Sequence, residues 1–231
     1  MMSKISAGSY DLNKWLFGGY ETDIVTVLYG PPGTGKTNFC MMVAVSQAKK
    51  GNKVIFIDTE GGFSVERIKQ IVGDEGDYEF VLENIFLLKP TNFSEQKEAF
   101  KKILEYLKKE VSIIIVDGMT ILYRLDFAAA REKDFIEIQK TNAELVRQMR
   151  ILAEISRKRE IPVIVTNQVY KWDDEKKMVG GDILSYWGKC LIELNNENGK
   201  RTAFLRKHRS LPEKSLDFQI TNSGIKKKGW I

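Results

Sequence analysis

Only two cysteines, Cys40 and Cys190, occur in the 231 residues of this chain. They offer no disulfide framework and no paired metal-ligand spacing, so both are expected as small buried apolar residues and no zinc site is implied. Long apolar runs are missing too, since none reaches the roughly 18 residues that a membrane-spanning helix needs. The N-terminus Met1-Met2-Ser3-Lys4 lacks the charged-then-apolar pattern of a signal peptide, which makes a cytoplasmic protein without a membrane partner the expectation. No internal repeat and no low-complexity linker divides the chain. What is present, 43% hydrophobic residues, suffices for one sizeable core and a single α/β domain over residues 1–231.

Charge is distributed unevenly. Residues 200–231 carry nine Lys or Arg against two Asp or Glu, so a net +7 sits on this end while the rest of the chain sums to −2. A basic end on a near-neutral body suits contact with polyphosphate or nucleic acid, and a solvated surface tail over 225–231 accounts for it almost as well.

Short β-branched runs alternate with helical stretches, the pattern of βαβ units and a mostly parallel twisted sheet flanked by helices. Ile24–Tyr29, Val54–Asp58, Ile113–Asp117 and Ile161–Val165 are near-continuous apolar runs, as strands covered on both faces require, and Ile85–Leu88 adds another. Between them, Phe100, Ile103, Leu104 and Leu107 predict one buried helical stripe, preceded by capping candidates Asn92 and Ser94. A longer helix is expected over 133–159, with Ile138, Leu145, Met149 and Leu152 inward and Pro162 marking its end. After Val169 a polar segment runs to Gly180-Gly181, and alternating runs at Leu191–Leu194, Arg201–Arg206 and Leu216–Ile220 predict a C-terminal antiparallel extension with a turn over Asn195–Lys200.

Three motifs carry chemistry. Gly30-Pro31-Pro32-Gly33-Thr34-Gly35-Lys36-Thr37 fits G-x-x-x-x-G-K-[ST] between an apolar strand and a helix, where backbone N–H groups and the helix N-terminus cradle phosphate oxygens. Lys36 is then expected on the β and γ phosphates of ATP and the Thr37 hydroxyl on Mg²⁺. Ser112–Asp117 is an apolar strand ending in a carboxylate, which makes Asp117 the second candidate for the metal. Asp58-Thr59-Glu60 brings Glu60 to the same sheet edge, where it can polarise a water for hydrolysis or simply cap the Gly61-Gly62 turn. A kinase for a small metabolite is disfavoured, since no Arg-rich lid segment is visible.

In their order along the chain, the phosphate loop, the Asp58–Gly61 stretch, the strand ending at Asp117, and Thr166-Asn167-Gln168-Val169 resemble the RecA/RadA recombinase family over nearly the whole chain. The resemblance implies a RecA-like ATPase core in which Gln168 joins Glu60 and Lys36 in the catalytic set, sensing the γ-phosphate and passing nucleotide state to a DNA-facing loop. It implies DNA as partner, single-stranded by preference, alongside recombinase or other repair proteins. Within segment 170–181, Tyr170, Lys171, Trp172, Lys176 and Lys177 are the candidates for stacking and phosphate contact, opposed by Asp173, Asp174 and Glu175; ordering against a partner is the competing reading. The departures are a lead-in of only residues 1–22, whose Leu12, Trp15 and Leu16 are expected to pack on the body, and Gly118 where many recombinases have Ser. Such a core-only layout implies weak or partner-dependent hydrolysis and no RadA-type filament, while leaving a homo-oligomer open. Lys207-His208-Arg209 stands where several RecA-like ATPases present a basic pair to the neighbouring subunit. There Lys207 and Arg209 are expected on one side and His208 on the other, with a solvated strand end or a DNA-backbone contact as the alternative. A RecA-like signalling ATPase acting on protein partners without DNA is the rival function.

Overall fold

The computed structural model describes residues 3–229 apart from 75, 108–109 and 173–174, and the side chains of 171–177 lie outside that description. Strand β1 (Lys4–Ile5) pairs antiparallel with β2 (Tyr20–Glu21) across helix α1 (Tyr10–Trp15). The main sheet begins with β3 (Val25–Gly30), followed by α2 (Lys36–Ala48), β4 (Lys53–Asp58), α3 (Val65–Val72), α4 (Tyr78–Glu83), β5 (Ile85–Leu88), α5 (Phe93–Tyr106) and β6 (Val111–Asp117). Two packed helices, α6 (Ile121–Arg131) and α7 (Phe135–Arg159), lead to β7 (Val163–Trp172) and its hairpin partner β8 (Glu175–Met178). Helix α8 (Gly181–Trp187) precedes β9 (Gly188–Glu197), β10 (Lys200–His208), β11 (Lys214–Thr221) and β12 (Gly224–Lys227).

Strand order is β12-β11-β10-β9-β3-β7-β6-β4-β5, parallel from β9 to β5 and antiparallel from β9 outward to β12. Alternation on the central strands divides the core in two, as a period of two requires. Val54, Phe56, Ile113, Ile115 and Ile164 face the side covered by α1 to α4, whereas Ile55, Ile57, Ile114, Val116, Val163 and Val165 face α5 to α8. Leu12, Trp15 and Leu16 are buried against the first of these layers, each contributing on the order of 1.5–3 kcal/mol. Both cysteines are buried, and burial pushes the thiol of Cys190 up to about 12.

Several expectations need correction. On α5 the buried face is Phe93, Gln96, Ala99, Phe100 and Ile103, while Leu104 is 54% exposed. The N-cap is Asn92, whose side chain accepts from the Glu95 amide, and Ser94 lies inside the helix. Helix α7 starts at Phe135 because Asp134 caps it, accepting from the Glu137 amide, and it stops where Glu160 turns left-handed. The segment after Val169 is a hairpin rather than a loop, with Tyr170 opposite Lys177. The basic end is likewise no free tail, since Gly224–Lys227 pairs with β11 and buries Ile225. Among the described residues no helix is long and apolar enough to cross a membrane.

Candidate functional site

The C-terminal ends of β3, β4, β6 and β7 converge on one sheet edge, with Gly30 in register with Gln168 and Asp58 with Asp117. Gly30 is required by close approach, because a Cβ there would lie 2.1 Å from the Leu194 carbonyl oxygen. The loop it opens delivers Lys36 at the start of α2, 7% exposed, with Nζ donating to the Gly30 and Pro31 carbonyls at 2.9 and 3.0 Å. Burial lowers the ammonium's pKa, opposed by the nearby carboxylates of Glu60 and Asp117. Thr34 donates to the Pro31 carbonyl and fixes the turn at 2.9 Å. The expected phosphate-loop residues, Gly30 to Thr37, thus form one continuous strand-to-helix loop.

Asp117 ends β6 and is 2% exposed. Its Oδ1 accepts from the Thr166 hydroxyl at 2.7 Å, and that hydroxyl accepts in turn from the Gly118 amide at 2.7 Å. Its Oδ2 is buried without a hydrogen bond of good geometry among the described residues, although the Thr37 hydroxyl lies beside it. A Cβ placed on Gly62 would come within 3.3 Å of Thr37 Oγ1 and 3.6 Å of Asp117 Oδ2, so these oxygens face the same small space. Burial pushes the carboxyl up to about 6, while the Thr166 and Thr37 hydroxyls pull it back and the charges of Glu60 and Asp58 add to the rise. An orphaned carboxylate oxygen beside a hydroxyl fits a hard divalent cation that takes few protein ligands and completes its shell with phosphate and water.

Glu60 projects from the turn after β4. Asp58, 2% exposed, shapes that turn by accepting from the Gly62 and Phe63 amides at 3.0 and 2.9 Å, and the Thr59 hydroxyl reaches across to the Asp117 and Gly118 carbonyls at 3.0 and 2.7 Å. Gly118 has no room for a side chain: its φ is +91° and a Cβ would lie 2.3 Å from Thr59 Oγ1. Gln168 uses both ends of its carboxamide, donating to Glu60 Oε2 at 2.8 Å and accepting from the Tyr170 hydroxyl at 3.0 Å. The Tyr170 ring is covered in turn by the Arg124 guanidinium, 3.7 Å from its centroid. Glu60, Gln168, Tyr170 and Arg124 therefore run in contact from the phosphate loop's edge to the base of the β7–β8 hairpin.

Lys36, Thr37, Glu60, Asp117 and Gln168 are thus brought to one edge. The remaining hairpin candidates, Lys171, Trp172, Lys176 and Lys177, have side chains outside the described residues, and Tyr170 is engaged by Gln168 and Arg124 rather than presented as a free ring. Lys207 and Arg209 lie at the opposite end of the sheet, where β10 ends beside the start of β3. Lys207 donates to the Ser185 and Gly188 carbonyls, and Arg209 binds Glu21 and Asp23 of the same chain. His208, expected on the other side, faces Glu21 as Arg209 does, because β10 carries a bulge between Leu205 and Lys207 and ends before Arg209. Sequence reasoning missed Arg124, and it named Asp58, Thr59 and Thr166 within their motifs without giving them individual roles.

Known proteins resemble this chain along nearly its whole length. Residues 1–228 match the Rad51 family. The chain is 41% identical over 225 residues to the DNA repair and recombination protein RadB of Methanobrevibacter smithii, covering 93% of this chain and 92% of that protein. It is 39% identical over 214 residues to the protein of the same name from Methanocaldococcus jannaschii, covering 93% and 98%. With its RecA-like sheet, its phosphate loop and this family match over nearly its full length, the chain belongs to the Rad51 family.

Proposed function

We propose that this chain is an ATP- and DNA-binding accessory protein of homologous recombination and DNA repair, with weak or partner-dependent ATP hydrolysis. The observation that carries the reading is the contact chain from Glu60 through Gln168 to Tyr170, which joins the phosphate edge to the base of the β7–β8 hairpin, the segment proposed to bind DNA. The names of the relatives, DNA repair and recombination proteins, support the DNA side over a protein-only ATPase.

The residues have distinct tasks. Lys36 releases its two carbonyl partners to neutralise phosphate charge, and the loop amides bind phosphate oxygens. Thr37 and Asp117 would hold Mg²⁺, which when bound would shield the charge on the phosphates. Glu60 orients the attacking water and takes its proton. Because Gln168 already donates to one of the two Glu60 oxygens, this base is shared, which fits slow turnover in the isolated chain. Gln168 reports the occupancy of the γ-phosphate position to Tyr170.

Fluorescence anisotropy of labelled single-stranded DNA, titrated over a salt series with ATP and Mg²⁺, tests the reading. Binding that weakens steeply with salt is expected. A protein that binds ATP yet shows no DNA affinity at low salt would instead be acting on protein partners.

A further inference from the structure

A concave surface that shares no lining residue with the nucleotide edge lies between α1 and the outer strands β10 to β12. It encloses about 790 Å³ and is lined by Tyr10, Lys14, Trp15, Lys200, Lys227 and Lys228. We propose that this groove is a second binding site for single-stranded DNA, cooperating with the β7–β8 hairpin; the inference rests on the reading of the chain as a DNA-binding protein.

The chemistry of the groove selects the ligand. The four lysines are exposed and lie along its walls, so they suit a run of phosphates better than one anion held in a closed pocket. Two carboxylates share the groove, and both are already engaged: Asp217 pairs with Lys200 at 3.1 Å and accepts from Thr202, and Asp11 accepts from the backbone amide of Lys227 at 2.8 Å. Four cations against two anions leave the groove positive. Tyr10 is 77% exposed, an uncovered aromatic ring at the rim. A ring in that position can stack on an unpaired base, whose face is free, and cannot reach the face of a base within a duplex.

Placement favours cooperation. Strand β12 is separated from β7 by five strand spacings, about 24 Å at the usual interval. A single strand of more than about seven nucleotides, at roughly 3.4 Å each, can reach from one site to the other. The groove also depends on the strand β12, which sets Lys227 and Lys228 opposite Lys14 of α1.

The test uses the full chain and a labelled twenty-nucleotide oligo-dT. Substituting Lys14, Lys200 and Lys228 by Gln should flatten the slope of log affinity against log salt by about 2, since each lost phosphate contact is worth roughly 0.7 for single strands. Tyr10→Ala should weaken binding about tenfold and leave the slope unchanged. Asp217→Asn, which frees Lys200, should tighten binding, a gain that structural damage would not produce. Ultraviolet crosslinking of bromodeoxyuridine-substituted DNA to the wild-type chain should label the peptide containing Tyr10. Wild-type binding with none of these effects, and crosslinks confined to other segments, would overturn the groove while leaving the proposed function standing. No wild-type binding would overturn both. Full competition by inorganic phosphate at equal phosphate concentration would show a simple anion site and also overturn the proposal.

Discussion

Asp117, proposed as a ligand of Mg²⁺, carries an electrostatic penalty that can be measured without any ligand. Its carboxyl is pushed from an ordinary 3.8 up to about 6, mainly by burial. Folding must therefore strip water from a charge that has one unpartnered oxygen. A rise of that size corresponds to about 3 kcal/mol lost at neutral pH relative to a neutral side chain, as an order of magnitude. The sign follows from linkage: the folded state holds the proton more tightly than the unfolded one, so the penalty is full above about pH 6 and fades as pH falls toward 3.8. Asp117→Asn keeps an acceptor for the Thr166 hydroxyl and removes the charge. The variant should be more stable than wild type by about 1–3 kcal/mol at pH 7.5, raising the melting temperature by roughly 2–10 °C for a chain of this size. The two proteins should converge as pH drops from 6 to 4, because every other titrating group is common to both. Melting followed by circular dichroism over that pH range measures the gap, and calorimetry with ATP and Mg²⁺ should show that the variant loses its Mg²⁺ dependence. A variant no more stable than wild type at pH 7.5, or a gap that does not change with pH, would refute the reasoning.

Other residues give equally direct expectations. Lys36→Ala should abolish tight ATP binding, since the terminal phosphates lose their nearest cation, and wild-type affinity by calorimetry would contradict that. Glu60→Gln should bind ATP normally and hydrolyse it about 10²-fold more slowly in a phosphate-release assay; unchanged turnover would remove Glu60 as base. Trp172→Ala should weaken single-strand binding about tenfold with the salt slope unchanged, because stacking is lost rather than phosphate neutralisation. Arg209→Ala removes the guanidinium from Glu21, whose side chain is 1% exposed, leaving it only Ser210 and His208, and should cost about 2–4 kcal/mol in urea denaturation even in a monomer. A variant of unchanged stability would show that Arg209 is not holding the N-terminal strand pair in place.

The parallel strands β3, β4, β6 and β7 were legible because each is a near-continuous apolar run, and burial on both faces admits little else, whereas β9, whose alternation was read as antiparallel, pairs parallel with β3 and antiparallel with β10. The strand-to-helix connection from Gly30 to Thr37 was legible because its signature is confined to eight adjacent residues. Leu104 was misjudged because its place on the apolar stripe does not reveal that Gln96 and Ala99 occupy the face turned to the sheet. Strand β12 was hidden by its lysines, since an edge strand with one wet face looks like a basic tail. The Thr166 bridge and the Arg124 cover of Tyr170 join residues 49 and 46 positions from their partners, and only the strand order brings them together. The surroundings of Lys207 and Arg209 were invisible for the same reason: the carboxylates that engage Arg209 lie 188 and 186 positions earlier.

The central claim is that nucleotide occupancy reaches the β7–β8 hairpin, the proposed DNA contact, through Gln168. It is tested most directly by measuring single-stranded DNA affinity with and without ATP and Mg²⁺, in wild type and in Gln168→Ala, at one salt concentration. Wild type should show a coupling of roughly 5-fold to 150-fold between the two ligands, and the variant should bind each ligand alone with little or no coupling. Equal coupling in both proteins would contradict the account.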